Sequence, residues 1–318
     1  MKFFYLLTLC LISYTSFSQD DLLKMMEENK SSSEKEFNKV TATFKTLKII
    51  SMQTTQTVGV GELDFRITHR FGNVGKKSFG GIHTLYGWDA ISDVRFSFDY
   101  GITKKLQVGF ARNKRDENLD ASLKYRFVEQ TLDNKVPLSM CLYSIASLTP
   151  MTKTSFYAGA DSAWVEHNAT FAHRMAYTTQ LVIASKLADW LSVAVTPTYT
   201  HLNYILADWN PNNGATKEND IYSAGVGLRL KLSRSVSILA DYFYVMSQFR
   251  KNNPKPYYNP LALGLEIETG GHVFHINLTN ASGIIENNFI PNTTDTWTKG
   301  GYKFGFNISR VFQIAKKK

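Results

Sequence analysis

Seven histidines have the widest chemical range of any side chains in this 318-residue sequence, yet their spacing gives them no shared task. His69, His83, His167, His173, His201, His272 and His275 include no H-E-x-x-H pair to set two imidazoles on one helical face for a metal. His272 and His275 lie three apart, which on a strand aims them at opposite faces. No G-x-S-x-G elbow presents a serine nucleophile. Gly59-Val60-Gly61 and Gly225-Val226-Gly227 are weak phosphate motifs, and small residues on one strand face explain the second better. The reading is a protein that is not an enzyme, with no catalytic residue, metal ligand or cofactor.

Charges offer a different chemistry, that of a polar wall. Glu62, Asp64, Asp93, Asp99, Asp120, Asp241, Glu266 and Glu268 are balanced by Arg66, Arg70, Arg95, Lys124, Arg126, Arg229, Lys231 and Lys303. An ion-selective pore is expected to carry one sign on its walls. A balanced wall leaves two readings open. One is a narrow path for polar, weakly charged solutes; the other is a network of ion pairs that fills the interior.

These charges occupy alternate positions in segments of about ten residues, so strands must position them. Leu63, Phe65 and Ile67 oppose Glu62, Asp64 and Arg66. Val94, Phe96, Phe98 and Tyr100 oppose Asp93, Arg95, Ser97 and Asp99. The same period of two runs through residues 119–127, 222–232 and 261–267. About twelve such segments follow residue 57: 57–71, 92–100, 106–112, 118–127, 136–148, 170–186, 191–204, 220–232, 236–248, 260–269, 272–280 and 300–312. Their links alternate between tight turns and long loops, the layout of an outer-membrane barrel. The links after 112 and 127 break that alternation, which leaves ten or fourteen strands open as counts. An even count puts both ends of the barrel chain beside the short turns. The phase predicts lipid around Phe96, Val226 and Leu263, with Ser97, Gly225 and Gly264 tolerant of polar replacement.

Other features agree with a barrel. No apolar run after the leader approaches the ~18 residues that a helical span needs. Mean hydropathy is −0.21, as suits strands with only one face in lipid. Aromatic residues make up 13% of the chain. Tyr100, Tyr125, Phe127, Trp190, Tyr242, Tyr244 and Tyr302 fall near strand ends, where interfacial girdles form. The net charge of +9 is spread thinly, without a dense basic helix, so a nucleic-acid partner is not expected. Lys2, an apolar stretch over residues 3–12 and Ser16-Phe17-Ser18 predict a signal peptide over residues 1–18. Cleavage would leave Cys141 as the one cysteine, a small apolar side chain with no disulfide partner.

Residues 19–56 read as a periplasmic N-terminal segment, either partly helical or lumen-entering, and residues 57–318 as the barrel. The stretches Phe44-Lys45-Thr46-Leu47-Lys48-Ile49-Ile50 and Leu63-Asp64-Phe65-Arg66-Ile67-Thr68-His69-Arg70-Phe71-Gly72 resemble an uncharacterised β-barrel family of Bacteroidota outer membranes. Phe98-Asp99-Tyr100-Gly101-Ile102-Thr103 with Leu106-Gln107-Val108-Gly109-Phe110 resembles the strand–turn–strand of such barrels at large. Tyr302, Phe304, Phe306, Ile308 and Phe312 share one parity and resemble the C-terminal signal read by the outer-membrane assembly machinery, although six residues follow Phe312. The resemblance implies an outer-membrane location and an all-β, transmembrane up-and-down fold, but no substrate.

Three functional classes follow. The first is a passive channel or transporter for small polar solutes. The second is a structural or partner-docking barrel with a plugged lumen, holding a periplasmic protein through residues 20–38. A lipid-modifying enzyme ranks last. Lipid and lipopolysaccharide are the expected surroundings, with Lys76-Lys77, Lys114-Arg115 and Arg250-Lys251 in outer loops able to meet phosphates.

Overall fold

The computed structural model describes residues 38–41, 43–158, 162–205, 218–253 and 255–315. The expected signal peptide, residues 20–37 and the terminal lysines 316–318 lie outside the described residues. Two compact units are present. One joins residues 38–41 to residues 130–137, where the Val40 amide donates to Gln130 O at 2.8 Å and the Leu132 amide to Asn38 O at 2.7 Å. The other is a barrel together with the chain that leads into it.

Twelve antiparallel strands close the barrel. They are β1 (Glu62–Asn73), β2 (Ile91–Gly101), β3 (Leu106–Asn113), β4 (Leu119–Val128), β5 (Ser139–Leu148) and β6 (Met175–Ala188). Then come β7 (Leu191–Leu202), β8 (Asp220–Lys231), β9 (Val236–Met246), β10 (Leu261–Thr269), β11 (His272–Thr279) and β12 (Lys303–Gln313). Each strand pairs with its sequence neighbours, and β12 returns to β1 through pairs such as Asp64 with Val311 and Thr68 with Asn307. Closure satisfies every edge, the condition for strands in hydrocarbon. The two irregular links leave the count unchanged: β3 to β4 is a short outer loop, and β4 to β5 a long turn.

Four strands start three or more residues later than the sequence reading, β5 among them at Ser139 rather than 136. β1 begins at Glu62 rather than 57, because the inner segment runs on to Val58 and residues 59–61 form the turn that leaves it, with the Glu62 amide donating to Gly59 O at 3.0 Å. Val58 donates its amide to Gln107 Oε1 at 3.1 Å, and Gly61 then turns the chain with φ +70°, which glycine adopts without a Cβ clash. β6 and β12 start later because 3₁₀ turns at Ala172–Arg174 and Trp297–Lys299 precede them.

Burial is inverted relative to a water-soluble sandwich. Phe96, Phe98, Phe110, Leu123, Val226, Leu263 and Leu265 are exposed, whereas Asp93, Arg95, Asp120, Lys124, Arg229, Asp241 and Glu266 are buried. That is the partition expected where the outer solvent is lipid. Tyr125, Phe127, Trp190, Tyr242 and Tyr244 are also exposed. No helix among the described residues is long and apolar enough to cross a membrane.

Candidate functional site

The barrel interior is occupied by its own chain. Residues 43–58 touch inward side chains of β1, β3, β4, β5, β8, β9 and β10, which a segment outside a closed barrel could not reach. Asp241 on β9 is the main fixed point. Its Oδ2 accepts the amides of Ile50, Ser51 and Met52 at 3.0, 2.7 and 3.2 Å. Across the lumen, Lys124 Nζ donates to Leu47 O at 3.2 Å and Gln56 O at 3.3 Å. Arg70 Nη2 donates to Ser51 Oγ at 2.8 Å. On β5 the Cys141 thiol lies 3.6 Å from Thr54 O.

Apolar packing adds to these bonds. Phe44, Ile49, Ile50 and Met52 join one buried cluster with inward residues Ala194, Ile221, Leu239, Phe243 and Ala262. Burying an apolar side chain of this size stabilises by roughly 1.5–3 kcal/mol. β8 and β10 have room for the segment because Gly227 and Gly264 lack side chains. A Cβ on Gly227 would stand 2.2 Å from Ile49 Cδ1, and one on Gly264 3.1 Å from Ile50 Cδ1. Gly225 is no more permissive, since its Cβ would meet the Phe243 ring at 2.8 Å. The expected tolerance of Gly225 and Gly264 to polar replacement is therefore corrected, for the interior is filled rather than watery.

A second insertion comes from the loop joining β11 to β12. Residues 281–290, including the short helix Glu286–Phe289, are buried except for a partly exposed Ser282. The Ile284 amide donates to Asp93 Oδ2 at 3.0 Å, and Arg70 Nη1 donates to the carbonyls of Ala281 and Gly283. Phe289 meets the Phe243 ring edge-on at 5.1 Å. The two insertions join where Glu286 Oε1 accepts from Lys48 Nζ at 3.0 Å and Gln53 Nε2 at 3.2 Å. Beside this junction the free space is about 20 Å³, bordered by Lys48, Arg66, Asp99 and Tyr143, which is room for about one water.

Most of the charges singled out in the sequence lie around these insertions. Arg229 Nε donates to Glu266 Oε1 at 2.8 Å, and His275 Nε2 stands 3.3 Å from the other oxygen. Arg95 forks onto Asp120, with Nη2 to Oδ1 at 2.8 Å. Asp64 and Arg66 are neighbours at 3.7 Å on β1, and Asp99 accepts from Gln107 at 3.1 Å. Lys303 pairs with Asp295 at 2.6 Å towards the long loops. Four others sit at the short-turn rim. Arg126 pairs with Glu129 at 3.1 Å, and Glu268 with Lys45 of the inner segment at 2.9 Å. Glu62 is half-buried at the start of β1. Lys231 is exposed, because it closes β8 beside the turn, where its amide donates to Trp190 O.

Sequence reasoning missed Glu286, Ser51, Thr54 and the apolar inward residues. Signals for two of these existed. Ile284, Ile285, Phe289 and Ile290 are too apolar for an exposed loop, and Leu239, Phe243 and Val245 make β9 apolar on both faces.

Above the insertions, at the long-loop end, a vestibule of about 350 Å³ is open. Its walls carry Arg115, Arg174, Lys255, Phe156, Tyr204 and Tyr257, and its floor carries Asn287 and Asn288. Arg174 Nη1 donates to Thr149 O at 3.3 Å and to Met151 O, with its guanidinium 5.5 Å from the Phe156 ring centre. Burial pushes the Asp116 carboxyl above its usual range, with Arg115 opposing the shift. Nearby, Arg250 donates to Tyr258 O and Ile290 O, so it ties loops together rather than facing solvent; burial lowers it to about 10.

A family model described as Membrane bound beta barrel domain (DUF5777) matches residues 44–312. No curated protein matches the chain. Among solved structures, the NanC porin is 10% identical with a TM-score of 0.46, over 78% of this chain and 98% of that one. The KdgM porin is 7% identical with a TM-score of 0.44, over 79% and 99%. The Acinetobacter baumannii outer membrane protein Omp33 is 8% identical with a TM-score of 0.39, over 82% and 100%.

Proposed function

From the premise that the chain belongs to the membrane-bound β-barrel family DUF5777, we propose that it is an outer-membrane barrel shut at rest by its own residues 43–58. It passes small polar solutes only when that segment is drawn aside. The carrying observation is the grip of Asp241 on three consecutive amides of the segment, on the barrel axis side of β9. A permanently open pore would have no use for such a grip. The balanced wall charges beside the segment suit solutes of low net charge.

Residues 20–38 lie upstream of the plug in the sequence, and a periplasmic partner bound to them would draw on it through residues 39–42. Exposed Lys76, Lys77 and Lys114 in outer loops suit contact with lipopolysaccharide phosphates, and the aromatic parity of β12 suits the assembly machinery.

Planar-bilayer recording of the full chain tests this reading. The intact protein is expected to be silent or to flicker briefly. Asp241→Ala removes a charged acceptor from three donors, each bond being worth about 1.5–3 kcal/mol, and should raise open time by about tenfold or more. Long, stable conductance steps from the intact chain would sink the proposal.

A further inference from the structure

We propose that the outer wall of β10, β11 and β12 seats one anionic phospholipid, in the leaflet at the short-turn end. The inference goes beyond the gating role and holds whether or not the lumen ever opens. Its first ground is a cation on the lipid-facing side. Among the outward positions of the twelve strands, Arg112 and Arg310 are the two that carry Lys or Arg. Arg112, at the long-loop end of β3, has Glu117 beside it at 3.9 Å. Arg310, near the opposite end of β12, is exposed and has no carboxylate partner among the described residues. Charge on this face is costly at mid-depth and tolerated beside the headgroups, so Arg310 belongs at the depth of lipid phosphate.

The neighbours of Arg310 prepare it for an anion. His272 lies directly across from it in the β11–β12 ladder, with Nε2 3.4 Å from Arg310 Nη1. The Phe312 ring centre is 5.0 Å from the guanidinium carbon. Stacking on a ring holds the plane of the fork and leaves its edge N–H groups for parallel bonds to phosphate oxygens. The acids close by turn inward, Glu266 to Arg229 at 2.8 Å and Glu268 to Lys45 at 2.9 Å. No outward position of β10, β11, β12 or β1 carries a carboxylate that could meet a headgroup ammonium. The wall therefore favours a headgroup with net negative charge over a zwitterionic one.

A seat for an acyl chain adjoins the charge. Ile267, Phe274, Ile276, Phe306 and Ile308 border an apolar groove of about 400 Å³ on the outer wall. His275, between them, turns its ring inward to Glu266. Register puts the groove next to Arg310 on the side of the membrane centre. Beyond the His272–Arg310 pair, Phe274 faces Ile308, and then Ile276 faces Phe306. A phosphate held by Arg310 thus has its chains directed along the groove, as one phospholipid requires.

Native mass spectrometry of the folded full chain in detergent tests the site, with dioleoyl phosphatidylglycerol and dioleoyl phosphatidylcholine as probes. The intact barrel is expected to retain one phosphatidylglycerol, at least about tenfold more readily than phosphatidylcholine. Arg310→Gln should remove the preference, Arg310→Lys should keep part of it, and Arg112→Gln should leave it unchanged. Ile308→Trp fills the groove with Arg310 intact and should lower retention of phosphatidylglycerol about fivefold. Heat-modifiability shows that each variant compared is folded. Glycerol 1-phosphate, which has the phosphate but no chains, should not displace the lipid. Equal retention of the two lipids, an unchanged preference in Arg310→Gln, full retention in Ile308→Trp, or displacement by glycerol 1-phosphate would overturn the site.

Discussion

A buried charge is held in place by what it would lose on leaving its partner, and Arg229 illustrates this. Its guanidinium faces Glu266, and both are almost fully enclosed. Glu266→Gln leaves that cation inside the barrel with no carboxylate, so the barrel should lose about 3–5 kcal/mol of unfolding free energy in urea. Replacing both residues together, as Arg229→Met with Glu266→Leu, should cost much less. Gly227 carries the opposite constraint. Gly227→Val places a methyl-bearing carbon where Ile49 now lies, which overpacks by about 1–3 kcal/mol and should loosen the plug without breaking a strand. Both positions were legible as inward from their phase. The partners were not, because the Asp241 contact with Ile50 spans 191 residues and nothing local encodes it.

Strand placement was the most legible level, for a physical reason. Lipid outside and polar groups inside impose a period of two that turns cannot erase, and a slip of one residue would invert every face. The register therefore has a direct test. Phe96→Arg, Val226→Arg and Leu263→Arg put charge on the exposed face and should each lower barrel stability by about 2–4 kcal/mol in lipid, most at mid-depth. Ser97→Ala on the inner face should move it by less than about 1 kcal/mol. Equal losses on both faces, measured by heat-modifiability and denaturant titration, would point to a two-sided core instead. Inserted segments were harder to read. The sequence of residues 40–51 alternates at first and then loses phase at Leu47, Ile49 and Ile50, because the irregular chain of residues 43–51 meets apolar and polar walls inside the barrel.

At the scale of the whole molecule, closure and occlusion are separate properties. Link lengths announced a closed barrel, whereas its filling depends on two segments far apart in sequence that meet at Glu286 and Lys48. The charged part of the wall lies mainly on β1 to β4, and the apolar inward residues, set among serines and threonines, lie on β6 to β10, where the plug packs. A lumen expected to be lined by polar and small residues thus contains a hydrophobic core. The central claim is that residues 43–58 close the lumen, and Cys141 reports on it, since its thiol is fully buried against Thr54 O. With Cys10 replaced by Ser, the folded chain in lipid vesicles would be treated with a water-soluble maleimide that cannot cross membranes. The account predicts that Cys141 stays unlabelled until the barrel is unfolded, and that Ile49→Asp speeds labelling by about tenfold or more. Labelling of the intact barrel as fast as the unfolded chain would contradict it.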